Sequence, residues 1–243
     1  IYLGGILGYG ASTMVRNCFV QDIKMETRQV LVSNGIGGII GKNTNGSIQY
    51  CYTTGEIVSN REYVGGIVGY SDNKISDCYS ITNIRTTALY AGGIVGFAFW
   101  NPGDMGTENP IAYNLYLGNI YCDTEVINRI SGNNKMGKGN CGWIGQKING
   151  VSKEIESGVT ILRTNQIFEK STYQNILIWD DNFEYNSLKD NAFPKLYDVN
   201  KTELLENQKD NIVMQTELKI EEVSVEKSDV NTAQIQIGIS NPK

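Results

Sequence analysis

The sequence predicts an all-β fold: a right-handed parallel β-helix (solenoid) of about four to five coils, with a C-terminal cap containing one short helix. Three observations predict it. First, Gly4-Gly5-Ile6-Leu7-Gly8 recurs as Gly37-Gly38-Ile39-Ile40-Gly41, Gly65-Gly66-Ile67-Val68-Gly69 and Gly92-Gly93-Ile94-Val95-Gly96, in steps of 33, 28 and 27 residues. Second, a trailing signature follows each copy: Val15-Arg16-Asn17-Cys18-Phe19, Ile48-Gln49-Tyr50-Cys51-Tyr52, Ile75-Ser76-Asp77-Cys78-Tyr79 and Ala112-Tyr113-Asn114-Leu115-Tyr116. Third, Asn, Gly, Ser, Thr, Tyr and Ile are abundant while Leu and Ala are sparse, a balance that favours strands and tight turns over helices.

Taken in order, each unit holds three short strands: the Gly-Gly strand, the trailing strand, and a weaker one such as Gly55-Glu56-Ile57-Val58 or Gly118-Asn119-Ile120-Tyr121. A unit of that size cannot bury an apolar face alone, so the copies must stack, with neighbouring strands about 4.8 Å apart. Ile6, Ile39, Ile67 and Ile94 then form one inward column. Gly is expected at the corners, both for positive φ and for close approach of the next coil. Right-handed winding follows from the handedness of parallel crossovers. The fourth copy is stretched by an insertion from Asn101 to Pro110, and Cys141-Gly142-Trp143-Ile144-Gly145 is a degenerate candidate for a fifth.

The solenoid is expected over residues 1–158 and the cap over 159–200. In the cap, Thr164 is a candidate N-cap for a helix over Asn165–Lys170, followed by a strand at Ile176-Leu177-Ile178-Trp179 and a closing Phe193-Pro194-Lys195-Leu196. Residues 201–217 read as a polar linker. Period-two alternation in 218–243 predicts the first strands of a following β-domain. With Ile1 in place of Met and an end in mid-strand at Asn241-Pro242-Lys243, the chain reads as a piece of a longer protein.

Composition removes several function classes. The chain has no His, so the usual general base, the nucleophilic triad and the commonest zinc ligand are absent. Twenty-one Lys and Arg against 26 Asp and Glu, with no basic cluster, argue against nucleic-acid binding. No apolar run approaches the roughly 18–20 residues of a membrane span.

Beyond these exclusions, the Gly-Gly-Ile-Val-Gly core with its trailing Cys-Tyr resembles the GLUG motif of bacterial surface proteins, over about residues 1–125. The order of the cap segments, and Gln236-Ile237-Gly238-Ile239-Ser240-Asn241-Pro242, are similar to the region after the GLUG repeats in M26-type (IgA1-protease-like) zinc metallopeptidases of Gram-positive bacteria. The resemblance implies a non-catalytic spacer or exosite module of a secreted or wall-attached protein. It implies a His-Glu-x-x-His zinc site in a downstream domain, with no cofactor in this segment, and a host protein or glycan as partner beside the flanking domains. A stand-alone adhesin is the alternative.

Candidate sites reduce to one surface. No catalytic, cofactor or metal residues are expected. Phe99, Trp100, Asn101 and Asp104, where the insertion leaves the coil, form the candidate ligand surface. Cys18, Cys51 and Cys78 share a register, and Leu115 taken as their fourth member favours core filling over metal or disulfide. Gly132–Gly139 follows phosphate-loop spacing until Gly139 stands where Ser or Thr is required, so an exposed turn is expected. Asp180, Asp181 and Glu184 are expected on a solvated edge rather than as a glycosidase pair or calcium site. A lyase of the solenoid type needs charged residues aligned on successive coils. Of the row Asn17, Tyr50, Asp77 and Asn114, only Asp77 is acidic.

Overall fold

The computed structural model describes residues 2–27, 35–60, 62–100, 109–123, 127–179, 183–190 and 192–196, and the backbone alone of 233–239. The first repeat contributes β1 (Leu3–Gly4), β2 (Leu7–Ala11), β3 (Met14–Arg16) and β4 (Cys18–Thr27). The second contributes β5 (Gly35–Gly37), β6 (Ile40–Thr44), β7 (Ser47–Gln49) and β8 (Tyr52–Ser59). The third holds β9 (Tyr63–Gly65), β10 (Val68–Ser71), β11 (Ile75–Ser76), β12 (Tyr79–Ser80) and β13 (Asn83–Thr86). The fourth holds β14 (Tyr90–Gly92), β15 (Val95–Ala98), β16 (Ile111–Ala112), β17 (Leu115–Tyr116) and β18 (Ile120–Cys122). After these come β19 (Ile127–Asn128), β20 (Cys141–Trp143), β21 (Lys147–Ile148), β22 (Val151–Ser152), β23 (Thr160–Leu162), β24 (Phe183–Glu184), β25 (Lys195–Leu196) and β26 (Ala233–Ile239).

The fold is all-β, and its sheets run across the repeats rather than within them. The Gly-Gly strands order β1-β5-β9-β14-β19, the strands after the bend β15-β10-β6-β2, and the trailing strands β16-β11-β7-β3, every pair parallel. The isoleucine column is superposed: the amide of Ile6 donates to the carbonyl of Ile39 (2.9 Å), Ile39 to Ile67 (2.9 Å), Ile67 to Ile94 (3.0 Å) and Ile94 to Ile130 (3.1 Å). Ile39, Ile67 and Ile94 are fully buried, each worth about 1.5–3 kcal/mol of apolar transfer.

This register corrects three expectations. The fifth copy is Asn128-Arg129-Ile130-Ser131-Gly132, because Gly92 pairs with Asn128 and Val95 with Ser131. The segment Cys141–Gly145 belongs to the other row, with Cys141 opposite Leu115. Leu115 in turn lies opposite Tyr79, so the cysteine column continues as Cys18, Cys51, Cys78, Asn114 and Asn140. Asn114 Nδ2 donates to the carbonyls of Ile75 and Ala112, each at 3.0 Å, and its Oδ1 accepts the Cys78 amide at 3.2 Å. A fully hydrogen-bonded polar residue therefore succeeds the thiols, because its side chain satisfies backbone that the stretched fourth repeat leaves open.

The motif glycines are needed for close approach, and none of them has positive φ. A Cβ on Gly66 would lie 2.1 Å from the Gly93 carbonyl oxygen, and one on Gly38 would lie 2.2 Å from that of Gly66. The left-handed corners fall immediately before the cysteine column, at Asn17, Tyr50, Asp77, Tyr113 and Gly139 (φ 52°, 52°, 57°, 57° and 71°). Asn, Asp and Gly tolerate that region; the two tyrosines are held there by the stack.

The C-terminal segment lies along the flank of the stack. Phe19, Tyr52, Tyr79, Leu115 and Cys141 form an outward column, and Ile167, Tyr173, Leu177, Trp179, Phe183, Phe193 and Leu196 cover it as a second core. Its helical pieces are single turns at Gln166–Phe168, Thr172–Ile176 and Asn186–Asp190 in place of one helix over Asn165–Lys170. Thr164 makes no cap; its hydroxyl accepts the Trp143 indole N–H at 3.1 Å. The strand expected at Ile176–Trp179 is replaced by the end of a helical turn, with Ile178 at φ 54°. β24 and β25 pair antiparallel, which places Phe193-Pro194-Lys195-Leu196 as expected at the close of the segment. The linker 201–217 and the strand at Leu218–Val223 lie outside the described residues. Further on, β26 runs antiparallel along β4.

Candidate functional site

The repeat carries a second pattern around its glycines. Tyr2-x-Gly4-Gly5 ends in Tyr9, Gly35-x-Gly37-Gly38 in Lys42, Tyr63-x-Gly65-Gly66 in Tyr70 and Tyr90-x-Gly92-Gly93 in Phe97. The bend at the glycines turns the chain back, so the first and last residues of each pattern project side by side from adjoining sheets. Parallel register then aligns Tyr63 with Tyr90, and Tyr9, Lys42, Tyr70 and Phe97 with one another. Ring centroids are 5.8 Å apart for Tyr2–Tyr9, Tyr63–Tyr70 and Tyr70–Phe97, 5.1 Å for Tyr63–Phe97 and 4.9 Å for Tyr90–Phe97. Lys42 stands where a ring is missing, its Nζ 5.2 Å from the Tyr2 ring and 4.9 Å from the Tyr70 ring, which is cation–π range.

The array is partly solvated: Tyr9 is 53% exposed, and Tyr2, Lys42, Tyr63, Tyr70, Tyr90 and Phe97 are half-buried. Burial, reinforced by the hydrogen bond to Glu62 (2.7 Å), pushes the Tyr63 phenol up. Burial and Asp72 raise that of Tyr70, against Lys42. Both hydroxyls stay protonated at neutral pH and can donate. The arrangement offers rings, hydroxyls and one ammonium; it can hold a ligand but contains no activated nucleophile.

Of the sequence-predicted surface, Phe99 follows Phe97 on the same run and is 52% exposed. Trp100 is half-buried, with its indole nitrogen enclosed and without a hydrogen-bond partner among the described residues. Asn101 and Asp104 lie outside the described residues, as do Asp180 and Asp181. Sequence reasoning missed the tyrosines, although their fixed distance from the glycine pairs was the available signal.

The remaining candidates resolve as structure. In the phosphate-loop look-alike, Asn133 exchanges hydrogen bonds with the Ala98 backbone and Asn134 turns at φ 56°, an ordinary corner. The row before the cysteine column ends in Tyr113 instead of Asn114, and Asp77 remains its one acid. All five thiols are free, and burial pushes Cys51 well up. Among the described residues, no group of three or more His, Cys, Asp or Glu could hold a metal ion.

Fold and surface together define a repeat protein with parallel sheets and an aromatic face. Residues 32–58, the second repeat through most of β8, match the family model described as the GLUG motif, which is not a catalytic domain. No curated protein and no solved structure matches the chain.

Proposed function

We propose that the repeats wind as a right-handed parallel β-solenoid serving as a non-catalytic spacer or substrate-binding module of a secreted or cell-surface bacterial protein. The observation that supports it is the hydrogen-bonded, fully buried column Ile39–Ile67–Ile94, which makes each repeat a rigid step and presents the tyrosine rows at regular spacing. The Gram-positive M26-type zinc metallopeptidases are the parent family favoured by the sequence resemblance, with the metal and the chemistry in a downstream domain. In this reading the chain binds a host immunoglobulin or mucosal glycoprotein and leaves it intact. Incubation with immunoglobulin A and zinc tests this: saturable binding without cleavage is expected, and cleavage by the purified chain would refute it.

A second reading, an adhesin module for host glycan, is favoured by the half-exposed tyrosine rows. A glycan array separates the two. A hit abolished by Tyr63→Ala and Phe97→Ala supports the adhesin, and a blank array with retained immunoglobulin binding supports the exosite.

A further inference from the structure

We infer that the open face of the first repeat is a docking surface for one more coil of the same Gly-Gly repeat, arriving from the N-terminal side of Tyr2. This rests on the solenoid reading above. The argument is continuity with an interface the molecule already builds several times. β1 and β2 are the end strands of their sheets, as is β3. Leu3, Ile6 and Leu7 occupy the columns of Ile36, Ile39 and Ile40, residues at most 1% exposed, yet are themselves only half-buried.

Hydrogen-bond polarity selects the occupant. At every bend the amides point toward the later repeat: Gly5 donates to Gly38, Gly38 to Gly66 and Gly93 to Arg129. The carbonyls of Gly5 and Ile6 therefore face the open side, and no donor reaches them among the described residues. The surface calls for backbone N–H groups in parallel register, which a Gly-Gly coil supplies. A two-fold copy would set carbonyl against carbonyl at this bend. A head-to-tail copy has no donor to give, since the Arg129 amide at the far end is already taken by Glu156 Oε1 at 2.9 Å. The chain also enters from the correct side: each repeat follows the third-strand segment of the one beneath it, as β5 follows β4. The antiparallel β26 meanwhile covers only the β4 edge.

The test is a chain with a second copy of residues 63–89 joined directly ahead of Tyr2, which preserves the register of Tyr63 and Tyr90 with Tyr2. Hydrogen exchange of the added amides should slow to the rate of Ile39 and Ile67, and Tm should rise by at least about 2 °C. Ile67→Asp in the added copy alone should abolish both effects. Free exchange of the added copy with Ile39, Ile67 and Ile94 still protected overturns this inference and leaves the solenoid standing. Loss of protection at those three overturns both. Concentration-dependent dimerisation of the unextended chain, with protection gained at Leu3–Leu7, assigns the face to a second copy and also overturns it.

Discussion

Glu156 takes the place of a missing repeat beneath Arg129. One carboxylate oxygen accepts the Arg129 backbone amide at 2.9 Å, as the next carbonyl does at every earlier bend, and the other accepts the Arg129 Nη1 at 2.9 Å. The guanidinium is completely enclosed, with Nε on Gln146 Oε1 (3.0 Å) and Nη2 on the Lys153 carbonyl. Arg129 stands where Gly93 stands one repeat earlier, and no further backbone passes over it to forbid a side chain.

Arg129→Met should accordingly leave Glu156 as a buried, uncompensated charge, costing about 3–5 kcal/mol. In a chain of this size that corresponds to a fall in Tm of about 6–20 °C, readable by thermal circular dichroism. Arg129→Met with Glu156→Leu should recover most of the loss. A double variant no better than the single one would show that the pair is not coupled.

A side chain at Gly66 should be worse than one at a glycine chosen for its φ. The Gly66 Cβ would strike the Gly93 carbonyl at 2.1 Å and Ser80 Oγ at 2.3 Å, and both partners are fixed in the stack. Gly66→Ala should cost about 3 kcal/mol or more. Gly150, at φ 77° with nothing within 4 Å, should lose only the left-handed preference on becoming Ala, about 1 kcal/mol. Urea unfolding of both variants compares them directly.

That contrast also marks how far the sequence was legible. The strand rows were readable, because inward β-branched residues recur with the glycines. What the glycines do was not, since a bend with ordinary φ and a close neighbour looks the same in sequence as a left-handed turn. Asn114 and Leu115 exchanged places for a similar reason: an insertion hides the register, and apolar likeness drew Leu115 to the thiols, whereas backbone demand placed Asn114 there. Arg129 was invisible as a motif member because its neighbour repeat ends, a fact of topology. The tyrosine rows were visible as a pattern but needed the bend to bring their two halves together.

Alkaline pH should unfold the chain by way of its thiols. Burial pushes Cys141 up to about 12 from an ordinary 9.0, and Cys51 is also raised well above 9.0. Both are protonated when folded and ionise near 9 when unfolded, so the unfolded state binds fewer protons above that pH. Their contribution is fully present below pH 9 and is lost as pH rises, at about 1.4 kcal/mol per pH unit for Cys141 up to about 12. Urea midpoints at pH 8, 9, 10 and 11 should be level, then fall; Cys141→Ala should flatten the decline, and an unchanged slope would contradict the assignment.

The flanking segment should come away before the stack does. It is tied on by Tyr79, whose hydroxyl donates to the Pro194 carbonyl at 2.9 Å, and by Trp179, whose indole N–H donates to the Tyr113 carbonyl at 2.8 Å. Trp179 also stacks on Phe183 with centroids 4.6 Å apart. Tyr79→Phe keeps the ring and forfeits one hydrogen bond, so a loss of about 1 kcal/mol is expected. Trp179→Ala opens a cavity in the second core and should cost about 3–5 kcal/mol. Because the interior column Ile39–Ile67–Ile94 belongs to a separate core, hydrogen exchange in Trp179→Ala should rise across residues 164–196 while those amides stay protected. Equal acceleration of both would mean that the two cores unfold as one unit and that the flank is integral to the stack.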